Sequence, residues 1–190
     1  MIFGKEKYCC KIQFDWSDTI KGGHIKSYCI EFEIYNSLFN LAVLYYCYGL
    51  NLAHNEAATK EIRKESTISF KKAIYVFNLL KEEANKKINP KELPLDLNEL
   101  HLEYCIFLCE IEGQIQIYKI AKETNPKDFV LHSKLLLGIS NLYSKTYDLV
   151  NKMKYKKGEI DNMSLYFDNR AKYYKAEMFR DLKNENKKKI

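Results

Sequence analysis

The sequence predicts a mainly α fold: long antiparallel helices stacked as helical hairpins, with a short β segment at the N-terminus. Three observations carry this expectation. Only seven glycines and three prolines punctuate 190 residues, so few breaks interrupt regular structure. Apolar residues recur at three- and four-residue spacing over stretches of roughly 25 residues, the period of an amphipathic helix. Near the N-terminus the period changes to two, as in a strand.

Residues 8–16 place Cys10, Ile12, Phe14 and Trp16 on one face of a strand, and Lys21-Gly22-Gly23-His24 reads as a turn. A first helix is expected from about Tyr28 to Ala53. Ile34, Leu38, Leu41, Tyr45, Tyr48 and Leu52 fall on one face, and Tyr35, Phe39, Ala42 and Tyr46 form a second stripe beside it. Two stripes imply cover on two sides, so this helix is expected at the centre.

The second helix is expected over Thr59 to Lys86, with Ser66, Phe70, Ala73, Phe77, Leu80 and Ala84 in register, before Asn89-Pro90 and Pro94 break the pattern. Asp96 with Glu99 three residues on reads as a capping box. It opens a third helix to about Lys122, striped by Leu97, Leu100, Tyr104, Phe107, Ile111, Ile115 and Tyr118. Asn125-Pro126 reads as cap and first-turn proline of a fourth helix, ending near Lys152. Lys156-Lys157-Gly158 reads as a loop, and Asp161 as the cap of a fifth helix carrying Phe167, Ala171, Tyr174, Met178 and Leu182. No strict repeat near 34 residues is present, so the array is expected to be TPR-like but irregular.

Composition excludes several functions. A hydrophobic fraction of 46% rules out a disordered chain. The net charge of +6 comes mainly from lysine clusters at Lys86-Lys87, Lys152–Lys157 and Lys187–Lys189. These read as solvated helix ends and loops, without the aromatic interleaving of a nucleic-acid site, so no nucleic-acid partner is expected. The N-terminus turns charged by Lys5-Glu6, reading as no signal peptide. Most of the six cysteines then read as small buried hydrophobes in a reducing cytoplasm. No run reaches the roughly 18 apolar residues of a membrane span.

No phosphate loop, nucleophile elbow or His-x-x-x-His pair occurs, and His24, His54, His101 and His132 lie apart. Glu110 and Glu112, two residues apart on a helix, diverge rather than pair. The expectation is therefore no enzyme, no catalytic residue, no metal and no cofactor.

Phe14-Asp15-Trp16-Ser17-Asp18, followed by Ile30-Glu31-Phe32-Glu33-Ile34-Tyr35-Asn36-Ser37-Leu38-Phe39-Asn40-Leu41-Ala42, is similar to the strand, Trp-x-Asp turn and Phe-Glu-x-x-x-x-Leu-Phe-Asn-x-x-Ala helix of the BRO domain family. Phe70 to Phe77, Asp96-Leu97, Ser133-Lys134-Leu135 and Ala171-Lys172-Tyr173-Tyr174-Lys175-Ala176 continue the resemblance in order. The family's Ala-Gln-Ala-Gln-Glu stretch is here Cys109-Glu110-Ile111-Glu112-Gly113-Gln114, a loose match. A family domain is about twice as long, so the resemblance implies one BRO-like domain over 1–190, truncated, with a β segment and turn at 1–25 and a helical core at 28–188.

The resemblance to Alix-like members implies a non-catalytic, monomeric adaptor that docks the amphipathic C-terminal helix of an ESCRT-III subunit in a shallow apolar groove. It implies a cytoplasmic chain recruited to endosomal membranes, in protein transport and vacuolar sorting, touching membrane only through its partner. Carried over by alignment, the patch falls on Leu131 and Leu135 of the fourth helix and Ile115 of the third, bordered by Tyr118, with Lys119 and Lys134 facing acidic residues of the peptide. The fourth helix has a core stripe at Phe129, His132, Leu136, Ile139, Tyr143 and Val150, and Leu131, Leu135 and Leu142 make a second. That second stripe either forms the groove or covers a neighbouring helix. The alternative is a BRO-like scaffold that binds a different peptide or dimerises.

Overall fold

The computed structural model describes residues 9–17, 23–88, 93–153 and 157–187. Among these residues, two antiparallel strands, β1 (Cys9–Ser17) and β2 (His24–Cys29), lead into five helices: α1 (Ile30–Ala53), α2 (Lys60–Lys87), α3 (Glu99–Thr124), α4 (Phe129–Val150) and α5 (Lys157–Lys187), with a 3₁₀ turn at Leu95–Leu97. The mainly α hairpin array with an N-terminal β segment is as the sequence predicts. Each helix packs chiefly on its sequence neighbours, and non-adjacent helix backbones hardly approach.

In the strand pair Trp16 opposes Ile25 and Ser17 opposes His24, and Asp15 binds the His24 ring across the strands at 2.8 Å. Phe14 and Trp16 are half-buried, whereas Ile12 is exposed. The turn expected at Lys21–His24 lies partly outside the described residues. His24 itself belongs to β2, a strand that the sequence reading missed because its burial pattern is too short to show a clean alternation.

The two stripes of α1 exchange roles. Tyr35, Phe39 and Ala42 are buried in the cluster shared with α2 and Phe32 is fully buried near the helix start, while Ile34, Leu41, Leu44 and Tyr48 face outward. So α1 is an edge helix, contrary to the central place expected for it. Two apolar stripes reveal a helix that prefers cover on two sides, not whether this chain provides both covers. The α1–α2 seam is tight. A Cβ on Gly49 would stand 2.7 Å from the Phe70 ring, and Ser66 and Ser69 of α2 donate to the Gly49 and Tyr45 carbonyls, each at 2.8 Å.

The central helix is α3. From Leu100 onward its predicted stripe packs towards α4 and α5; Leu97, in the 3₁₀ turn, joins a second group, Leu102, Ile106 and Cys109, that packs towards α1 and α2. It therefore bridges the two core clusters of the fold. The α4–α5 pair closes the far end, with Ser140 Oγ donating to the Ala171 carbonyl at 2.8 Å and Tyr143 stacked on Tyr174.

Three helix starts differ from expectation. Asn98, not Asp96, caps α3 by accepting from the Leu100 N–H; Asp96 is fully buried beside His101 instead. Asp128, not Asn125, caps α4 by accepting from the Leu131 N–H at 2.9 Å, because Asn125 still closes the last turn of α3. Helix α5 begins at Lys157 rather than at Asp161. At the α3 and α4 starts several side chains able to accept an N-cap bond stand close together, and only the path of the chain selects among them.

Candidate peptide-binding surface

The middle of α3 floors a groove walled by α2 and α4. On the α2 side, Phe70 packs against Gly113; on the α4 side, a Cβ on Gly138 would stand 3.6 Å from the Gln114 amide nitrogen. These two contacts set the register. Because α3 presents glycine at position 113, its backbone is open where the walls converge, and a hollow of about 320 Å³ remains. Its floor is Glu110, Gly113, Gln114 and Ile117; Thr67, Lys71 and Ile74 come from α2 and Leu142 from α4.

Leu131, Leu135, Gly138 and Leu142 follow one another at four-, three- and four-residue steps, so they share one face of α4. Leu142 lines the hollow; Leu131 and Leu135, each half-buried, share its helix face towards the N-terminus of α4. Lys71, Lys134 and Lys145 are exposed on the two walls. The arrangement is an apolar trough with cationic lips.

The other predicted residues lie elsewhere. Successive helical residues turn by about 100°, which carries Ile115 and Lys119 to the side of α3 away from Glu110, Gly113, Gln114 and Ile117. Ile115 is 8% exposed and belongs to the core cluster with Leu136 and Ile139. Burial and the nearby Arg63 hold the Lys119 ammonium below its usual range. Tyr118 meets His132 edge-on at 6.0 Å, at the α3–α4 seam. Of the predicted residues, Leu131 and Leu135 thus share the α4 face that bears Leu142, with Lys134 exposed beside them. Sequence reasoning missed Ile74, Glu110, Gly113 and Ile117 as groove residues, since the α3 stripes mark what is buried and not what two neighbouring helices leave bare.

Burial pushes the Cys105 thiol up to about 12 and raises that of Cys109, so neither is a thiolate at neutral pH. Among the described residues no group of three His, Cys, Asp or Glu side chains is placed to hold a metal ion, and no helix is long and apolar enough to cross a membrane.

Comparison with known proteins gives three findings. The BRO1-like domain family matches residues 2–189. The BRO1 domain-containing protein BROX of Mus musculus and that of Homo sapiens are each 35% identical over 104 residues, which is 53% of this chain and 25% of theirs. A solved structure described as the "Structure basis for endosomal targeting by the Bro1 domain" superimposes with a TM-score of 0.60 at 20% identity, over 95% of this chain and 46% of that one. The chain thus spans about a quarter of the length of the BROX proteins and less than half of the solved chain.

Proposed function

This chain belongs to the BRO1-like domain family, and from that premise we propose that it is a non-catalytic, protein-binding adaptor docking the amphipathic C-terminal helix of an ESCRT-III subunit. In this reading the chain works in the cytoplasm as a monomer and reaches endosomal membranes through that partner.

One observation carries the proposal. The trough between α2 and α4 is lined by Phe70, Ile74, Ile117 and Leu142, helical spacing puts Leu131 and Leu135 on the same α4 face as Leu142, and lysines stand on both lips. A helix laid into a groove needs an apolar stripe opposite the floor and charge opposite the lips. Lysine lips select a ligand with acidic flanks, which steers its approach and fixes its register. The solved Bro1 domain is described as endosomally targeting, which supports the same setting here.

Leu135→Asp tests it. Its side chain is half-buried on the α4 face that bears Leu142, outside the core clusters. The expected outcome is loss of about 2 kcal/mol or more of binding to an ESCRT-III C-terminal peptide in fluorescence anisotropy, near 30-fold in Kd, with the melting temperature little changed. Unchanged affinity for the peptide would refute the docking role.

A second reading, a scaffold that dimerises, has one observation in its favour. From Ile34 to Ala53 helix α1 carries no charged residue, although Leu44 is 66% exposed and Ile34 and Tyr48 are each 48% exposed. An outward face so bare of charge is unusual for a solvated helix. Light scattering of the free chain separates the readings: monomer mass at micromolar concentration favours the adaptor, and dimer mass abolished by Leu44→Glu favours the scaffold.

A further inference from the structure

The floor of the trough contains a carboxylate that an apolar helix stripe does not satisfy. Glu110 lines the hollow between Ile74 and Leu142, half-buried, with Gln114 one turn further along the same face. Among the other acidic residues of α3, Glu99 and Glu103 meet Lys81 at 3.9 and 3.2 Å, and Glu123 meets Arg63 at 3.0 Å; Glu112, on the opposite side of the helix from the hollow, lies in the field of His54, Lys119 and Arg170. Glu110 has no such partner within 4 Å among the described residues. Burial raises its carboxyl above the ordinary glutamate range, and Lys145 offsets this only from a distance. A carboxylate in a mainly apolar hollow is costly unless paired.

Resting on the docking reading above, we infer that Glu110 is the specificity-determining residue of the trough: it takes the cationic head of a lysine or arginine within the ligand's apolar stripe. The side chain suits the cavity. Lys71 stands exposed at the mouth, so a short cation would meet it first. A lysine or arginine lays its alkyl stem along Ile74, Ile117 and Leu142 and delivers its charge to the floor beyond. There Glu110 accepts from it, and the Gln114 side-chain carbonyl is one turn away as a second acceptor. The ligand's charge pattern is then acidic at the flanks and basic at one point of the stripe. Because the basic point must meet Glu110, it sets both the direction and the register of the bound helix.

The test uses the whole chain and synthetic amphipathic helical peptides with a leucine stripe and acidic flanks. A single stripe position, walked along the peptide, is lysine in one set, alanine in a second and glutamate in a third. In one register the lysine peptide is expected to bind about 10-fold tighter than its alanine counterpart, as for a partly buried charge pair. That advantage is expected to vanish in Glu110→Gln and to pass to the glutamate peptide in Glu110→Lys, both variants melting near wild type. If no lysine peptide outperforms alanine in any register, or if the advantage survives in Glu110→Gln, the assignment is overturned. The docking reading fails separately. Alanine peptides that bind, and are released by Leu135→Asp without a lysine preference, keep the trough and discard Glu110; a wild type that binds no peptide discards both.

Discussion

Glycine has opposite meanings at two positions along α1 and α3. At Gly49 the α1–α2 seam is closed to within 2.7 Å of the Phe70 ring, itself 1% exposed. Adding a methyl group there forces the ring or the helix to shift, and Gly49→Ala is expected to cost about 1–3 kcal/mol in denaturant unfolding. At Gly113 the nearest side-chain atom would be an ordinary 3.9 Å away, so alanine fits, and exchanging a mid-helix glycine stabilises by about 0.5–1 kcal/mol. The same methyl group fills the floor of the hollow. Gly113→Ala is therefore expected to raise the unfolding midpoint while weakening peptide affinity, a combination that a purely structural glycine would not produce.

At the level of the element, legibility depended on how many faces a helix shows. Helices α2, α4 and α5 each bury one principal stripe, and Phe70, Leu80, Leu136, Tyr143, Phe167 and Tyr174 occupy it as their spacing predicts. Helix α1 has two stripes and one cover, so its neighbours could not be inferred from period alone. Helix α3 has almost no exposed position before its last turn, which hides the distinction between core and groove. Boundaries shifted for a simpler reason: Asp96, Asn98, Asn125 and Asp128 all have side chains able to cap. The geometry selects Asp128 for α4. Asp128→Ala is expected to cost about 1 kcal/mol of stability, read from thermal unfolding, and Asn125→Ala to lack the effect of a lost N-cap bond.

Across the whole molecule, the candidate site was half legible. Leu131 and Leu135 stood out because α4 has more apolar surface than one seam consumes, and both share the helix face of Leu142, which lines the hollow. Glu110 and Ile117 did not stand out, since their role depends on the gap between α2 and α4, a distance between helices far apart in sequence. The tyrosines follow the same logic. Tyr143, Tyr173 and Tyr174 surround the Arg170 guanidinium, whose carbon lies 5.2–5.7 Å from their ring centres, a grouping produced by the α4–α5 pairing rather than by any local motif.

Packing between sequence neighbours has a consequence for how the molecule comes apart. With few ties between distant helices, either end hairpin can detach while the remainder persists, so opening proceeds inward from the termini and amide hydrogens of α3 exchange last. A peptide seated across α2 and α4 would act as a clasp over that central strut. Occupancy would then be written in the slowed exchange of α2, α3 and α4, while the outermost helix at each end keeps its own rhythm of fraying.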